Sequence, residues 1–340
     1  MGVEAASAAV AAAPGAVAQH RDVDRFGVGR VTAPPAYCPG CGARTGVADG
    51  VCASCGPGAP YRTALPDLSV DRPADRADAD LGAIQLITDR GIAHEYNEDA
   101  VAGAVVAGPT GPTVVVAVSD GVSTSHDPQA ASGAAARAGV DACLSALAAG
   151  RLAAQAVSAG LAAAFEAVRG VSVAAGHAPS CTYVSAVVEH CGTGEFDLTV
   201  TNVGDSRAYW LTADDRAGPP SQRLTLDDSF AQLLMAGGVD EDTAMRDPRA
   251  HALMRWLGAD SDLSPDETAV DALRVRGPGV LLLCSDGLWN YLPDPAGLAS
   301  IATADDPRRA ARALVDYALQ CGGGDNITVA LIPVPAFDGR

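Results

Sequence analysis

No lysine occurs anywhere in the 340-residue chain, so all 23 basic residues are arginine, set against 41 acidic ones. That absence removes whole chemistries: there is no Walker lysine, no kinase strand lysine and no Schiff base with a carbonyl substrate. Positive charge is scarce altogether, and the formal net charge is −18. A protein that binds phosphate backbones in bulk needs the opposite sign, so nucleic acid is not expected as a partner. No serine stands in a G-x-S-x-G elbow, which argues against a hydrolase of that type. No run is long enough to cross a membrane without charges or turn residues. The alanine-rich opening "EAASAAVAAAPGAVAQ" lacks the leucine and the positive residue of a signal peptide. In "MGVEAAS", Ala6 breaks the myristoylation spacing. The expectation is a cytoplasmic chain with no membrane partner, read as a monomer. Abundant alanine with arginine as the only strong base points to the coding bias of a GC-rich genome.

What is present divides the chain. Four of the nine cysteines fall in "CPGCGARTGVADGVCASCG": Cys38, Cys41, Cys52 and Cys55. Each C-x-x-C pair is followed by glycine, whose tight turn aims both sulfurs inward, and two such knuckles make a tetrahedral thiolate set for Zn²⁺. The alternative, a pair of redox dithiols, usually opens a helix in a larger α/β fold, which this stretch does not suggest. The segment resembles a small zinc ribbon, and four protein sulfurs would make the site closed and structural. The other five cysteines stand alone and read as core residues or inert thiols. The organisation expected is a flexible leader over 1–34, a zinc ribbon over 35–57, a Pro/Ala/Asp/Arg-rich linker over 58–80, and a long domain over 81–336.

In the long domain, "AIQLIT", "VAGAVVAG", "TVVVAVS", "CTYVSAVVE", "EFDLTVTNV", "SRAYWL" and "VLLLCS" read as strands, short and bounded by turn residues. Two alanine-rich stretches, roughly 128–149 and 151–169, read as paired helices. A third helix, about 306–320, precedes a last strand "ITVALIPV". Strands, then two consecutive helices, then strands again is an α+β pattern with helices outside packed sheets. Acidic residues sit where these strands end or begin: Asp120, Asp205, Asp286, Asp325, and Glu98 with Asp99 in "HEYNED". Singly, each reads as a turn former or helix cap. Together, if they converge, their repulsion calls for cations. An oxygen-only set favours Mg²⁺ or Mn²⁺ over Zn²⁺. "HEYNED" itself comes close to the zinc-protease pattern H-E-x-x-H but lacks the second histidine.

In order along the chain, "TDRGIAHEYNEDA", "VAVSDG", "NVGDSRAYW", "LTLDDSFAQLLMAGG", "DPRAHALMRWLG", "LLLCSDGLW" and "GGGDNITVALI" resemble the metal-dependent type 2C (PPM) serine/threonine protein phosphatases over about residues 83–334. The resemblance implies a four-layer α/β/β/α sandwich with two Mn²⁺ or Mg²⁺ ions at one end. It also implies hydrolysis of phosphoserine and phosphothreonine in proteins by a metal-activated water, and a serine/threonine kinase as the opposing enzyme. On it, Asp120 bridges both metals, the Gly121 carbonyl binds one, and Asp286 and Asp325 complete the other. Asp205, with Asp286, matches the position of a third, weaker metal. Glu98 and Asp99 act through metal-bound water, and about Thr225 to Leu257 matches a mobile flap beside the cleft.

The chain departs from the family at three points. His94 stands where the family usually has arginine to grip the substrate phosphate; histidine also donates to phosphate when protonated. The second motif continues as "VSTSHDP", in which His126 reads as a leaving-group acid or a solvated loop residue. The usual threonine pair before the middle strand is "SCT". The missing arginine leaves a second reading, a catalytically weakened phosphatase-like scaffold or phosphoprotein-binding module.

Overall fold

The structure is a computed structural model describing residues 23–27, 76–108, 110–171, 178–192, 194–213 and 218–335. The four ribbon cysteines, and with them the expected zinc site, lie outside the described residues.

The segment Gly279–Cys284, β13, is buried at all six positions, which a strand sustains only when both of its faces are covered. Leu281 and Leu283 point into a core shared with a second sheet, while Val280, Leu282 and Cys284 point the other way, onto helices. This two-sided burial repeats through the molecule. One sheet has the order β1 (Val23–Gly27), β4 (Ala100–Ala107), β5 (Pro112–Ser119), β7 (Tyr183–Gly192), β8 (Glu195–Val203) and β12 (Asp271–Arg276). The other runs β10 (Gln222–Arg223), β9 (Arg207–Leu211), β13, β14 (Ile327–Val334), β3 (Gln85–Asp89) and β2 (Arg76–Asp80). A short antiparallel pair joins β6 (Ser180–Cys181) to β11 (Leu257–Gly258). Valines of β5 and β7 meet Leu86, Trp210, Leu281 and Ile332 between the sheets.

Helices α1 (Pro128–Ala148) and α2 (Ala153–Arg169) cover the outer face of the first sheet. Their alanine surfaces allow a close approach, and Gly160 is required for it: a Cβ there would stand 2.4 Å from the Cys143 sulfur. On the second sheet lie α5 (Asp286–Trp289), α6 (Pro295–Ala302) and α7 (Pro307–Gln320). Two further short helices, α3 (Phe230–Ala236) and α4 (Glu241–Met245), close a small core of their own around Ala231, Ala244 and Ala250. No described helix is long and apolar enough to cross a membrane.

Two segments differ from the sequence reading. Within the expected leader, β1 pairs antiparallel with β4. At the end of the expected linker, β2 pairs with β3, so the domain reaches back at least to Arg76. The reason for the second is electrostatic. Only Ala77 and Ala79 of "RADAD" turn inward, while its charged residues meet α7: Arg76 with Asp316 at 2.8 Å, Asp78 with Arg312 at 2.8 Å, and Asp80 with Arg308. A strand that presents charge along a sheet edge reads as polar linker.

Candidate metal centre

The ends of β5, β8 and β13 and the start of β14 converge, and each delivers an aspartate. Asp120 follows β5. Its backbone is fixed from β7's side: Thr182 N–H donates to the Asp120 carbonyl at 2.8 Å, and Asp120 N–H donates to Thr182 Oγ1 at 3.1 Å. Thr182, the threonine of "SCT", shares a hydrogen bond with Ser206 at 2.7 Å. Gly121 is confined by backbone. A Cβ there would lie 2.7 Å from the Pro128 carbonyl oxygen and 2.8 Å from that of Glu98, so no side chain fits. Asp286 opens α5, where Asn290 Nδ2 donates to its Oδ2 at 3.0 Å. The Asp205 carbonyl accepts from Trp289 Nε1 at 2.8 Å.

A cleft of about 500 Å³ is lined by Asp120, Gly121, Asp205, Asp286 and Asp325. Glu98, Asp99 and His94 flank this set. Asp99 is buried behind it, its Oδ2 accepting from Ser285 and Thr328 hydroxyls, both at 2.7 Å. Glu98 accepts from the Ser123 hydroxyl. His94 Nε2 stands 3.1 Å from Asp325 Oδ1. His251, Leu253 and Trp256, all from the segment expected as a flap, also line the cleft. Near the start of that segment lies a buried ion pair, Arg207 Nη2 to Asp227 Oδ2 at 2.5 Å, with the guanidinium stacked 3.5 Å over Trp289. His126 is not among the lining residues, although its Nδ1 is buried without a partner.

Burial, reinforced by repulsion among the carboxylates, pushes Asp120 and Asp205 well above the ordinary carboxylate range. Burial together with Asp325 raises Asp286 to about 6. Burial, against the hydrogen bonds from Thr328 and Ser285, raises Asp99 to about 7. Among the described residues no three His, Cys, Asp or Glu side chains are drawn together tightly enough to cage an ion as they stand. Three observations show that the set fits divalent cations. Asp286 Oδ1 is buried with no hydrogen-bond partner. Among the described residues no arginine lines the cleft. Arg207, whose charge does reach Asp205 and Asp286, spends its hydrogen bonds on Asp227 and Tyr209. An anionic, oxygen-only cleft suits a hard cation such as Mn²⁺ or Mg²⁺.

Sequence reasoning missed Asn326. Its Nδ2 donates to the Arg90 and Tyr96 carbonyls at 2.7 and 3.0 Å, and its Oδ1 accepts from Glu98 N–H at 2.7 Å. It is 2% exposed, and it clamps the His94–Asp99 loop against the start of β14. The only signal was an asparagine next to a candidate ligand. Asn326→Leu keeps the branched shape, at a larger volume, and strands three backbone groups. It should cost about 2–3 kcal/mol in urea unfolding and lower turnover in proportion to the loosened loop.

No family model matches the chain. The serine/threonine phosphatase stp of Listeria innocua is 34% identical over 136 residues, 40% of this chain and 51% of that protein. The chain therefore spans about half the length of this curated relative. Among solved structures, the PPM Ser-Thr phosphatase MsPP of Mycobacterium smegmatis, in complex with cacodylate, is 26% identical with a TM-score of 0.56, over 77% of this chain and 99% of that one. The catalytic domain of the serine/threonine protein phosphatase PstP, in complex with two manganese ions, is 23% identical with a TM-score of 0.50, over 76% and 97%. The chain shares their fold.

Proposed function

We propose that this chain is a metal-dependent phosphatase of the PPM type that hydrolyses phosphoserine and phosphothreonine in proteins. The observation that carries the reading is the single cleft into which four distant strand ends deliver Asp120 with Gly121, Asp205, Asp286 and Asp325. The likeness to named serine/threonine phosphatases in sequence and fold supports it.

Two Mn²⁺ or Mg²⁺ ions would be held by Asp120, the Gly121 carbonyl, Asp286 and Asp325, with Asp205 available to a third. When bound, such cations neutralise the phosphoryl oxygens and make water a competent nucleophile at neutral pH. The chain's own residues do the rest. Asn326 and Ser123 fix Glu98 at the edge of the site. Asp99, which burial raises to about 7 although Ser285 and Thr328 both donate to its Oδ2, can take up and return a proton at Oδ1, which has no hydrogen-bond partner. The spacing of Cys38, Cys41, Cys52 and Cys55 supports one structural zinc apart from this centre, in a ribbon joined to the catalytic domain. Phosphoproteins are the substrates and a kinase is the opposing enzyme in this reading.

Release of phosphate from a phosphothreonine peptide should require added Mn²⁺ or Mg²⁺ and stop in EDTA. Full activity in EDTA, or none with either metal, sinks the proposal. His94 is the proposed phosphate contact, at the price of leaving Asp325. Imidazole offers one donor per nitrogen where a guanidinium offers a fork. His94→Arg should therefore lower KM for the peptide, by about 1.5 kcal/mol if one charge-assisted contact is regained. His94→Ala should raise it. If both match the wild type, His94 only buttresses Asp325.

A further inference from the structure

The cleft does not end at the carboxylates. Away from them it is walled by Trp256, Asp260, Ser180 and the Val122–Ser125 loop. Here Trp256 Nε1 donates to Asp260 Oδ1 at 3.1 Å, so the indole edge holds the carboxylate beside its own ring. Gly258 lets the group close up, since a Cβ on it would lie 2.8 Å from both Asp260 Oδ1 and Ser180 Oγ. The wall is also tied to the metal centre. Gly258 pairs with Ser180 in the β6–β11 ladder, two residues before the Thr182 that fixes Asp120. Distance from reacting centre to wall is thus set by backbone pairing.

Asp260 lacks a counter-charge. Among the described residues no arginine pairs with it, and Arg255, the nearest in sequence, is taken up by Asp228 at 3.4 Å and Thr268 at 2.9 Å. A carboxylate beside a half-buried indole, in a cleft that no arginine lines among the described residues, is complementary to a cation. A guanidinium or ammonium can lie over the ring while it pairs with the acid. The whole-chain charge of −18 attracts the same partners over distance. An acidic side chain placed there would meet repulsion that nothing relieves.

We propose that Trp256 and Asp260 form a subsite for a basic side chain flanking the phosphoresidue, so that phosphopeptides carrying arginine or lysine near the phosphoserine or phosphothreonine are the preferred substrates. The proposal rests on the phosphatase reading above and adds a substrate class to it. A series of phosphothreonine peptides in which one arginine is walked along both flanks, with glutamine and glutamate at the same positions, tests it on the Mn²⁺-loaded full chain. At one or two positions arginine should lower KM roughly tenfold relative to glutamine, the size of a desolvated cation–π contact plus an ion pair. Asp260→Asn, which retains the acceptor for Trp256 Nε1, should bring the ratio to about one. Trp256→Leu should reduce it, and Asp260→Arg should reverse it in favour of glutamate. Equal KM values for the three peptides at every position overturn the subsite, as does a preference that survives in Asp260→Asn. Fluorescence anisotropy with the same dye-labelled peptides separates the two readings. If no peptide is hydrolysed yet arginine peptides bind more tightly in an Asp260-dependent way, the phosphatase reading fails and the subsite stands; equal affinities overturn the subsite whatever the turnover.

Discussion

Asp286→Asn should abolish turnover, by about three orders of magnitude or more, while leaving the metal-free protein at least as stable as the wild type. The two halves have one cause. Asp286 Oδ1 is buried without a partner and faces the repulsion of Asp325, so in the metal-free fold its charge is a burden. An amide removes the charge and keeps an acceptor for Asn290 Nδ2. With Mn²⁺ present the loss is of a ligand whose charge the cations need, and the neutral amide replaces it poorly. Asp120→Asn should behave alike, since Asp120 sits amid Asp99, Asp286, Asp205 and Asp325. Asp205→Ala should be milder. Phosphopeptide kinetics, calorimetric titration with Mn²⁺ and thermal melting in EDTA together check the pattern. Wild-type turnover in Asp286→Asn would remove the mechanism; a large drop in EDTA melting temperature would show that Asp286 is structural.

Much of this was legible in the chain because it rests on local signals. The helices read as 128–149 and 306–320 are Pro128–Ala148 and Pro307–Gln320, each opened by a proline in its first turn. Strands such as Pro112–Ser119 and Gly279–Cys284 were visible as unbroken apolar runs. The aspartates Asp120 and Asp286 were visible because each stands where such a run stops. What was missed carries charge or acts at long range. The strand Asp271–Arg276 hides as a polar stretch because Arg274 and Arg276 pair across to Asp197 and Glu195 on β8. Helices α3 and α4 do have caps, Ser229 and Asp240, but at seven and five residues they are too short to show a periodic face. Asn326 joins backbone groups more than 220 positions away in sequence, and nothing local distinguishes such an asparagine from a turn residue. The contact of His94 with Asp325 is of the same kind.

The stability of the metal-free chain should fall as the pH rises from roughly 5 to 8, and that of the Mn²⁺-loaded chain should not. In the folded protein Asp286 is raised to about 6 and Asp99 to about 7, with Asp120 and Asp205 also raised. In the unfolded chain these carboxyls return to the ordinary value of about 3.9. Raised groups hold protons in the fold that the unfolded chain has released. Their contribution is complete below about pH 4, and it is lost as the pH climbs through the folded values. For Asp99, which is buried, a rise from 3.8 to about 7 sets an upper limit of roughly 4 kcal/mol on that loss. Cations compete with protons for the same oxygens, so added Mn²⁺ stabilises most where the carboxyls are ionised, and the gap between the two melting curves should widen with pH. Thermal melting in EDTA and in excess Mn²⁺ across this range measures both slopes. Asp99→Asn should flatten the EDTA slope, since it removes the titrating group with the highest of the two fixed values. An EDTA melting temperature that climbs steadily over the whole range would mean that these carboxyls do not share the burial and mutual repulsion on which the metal centre depends.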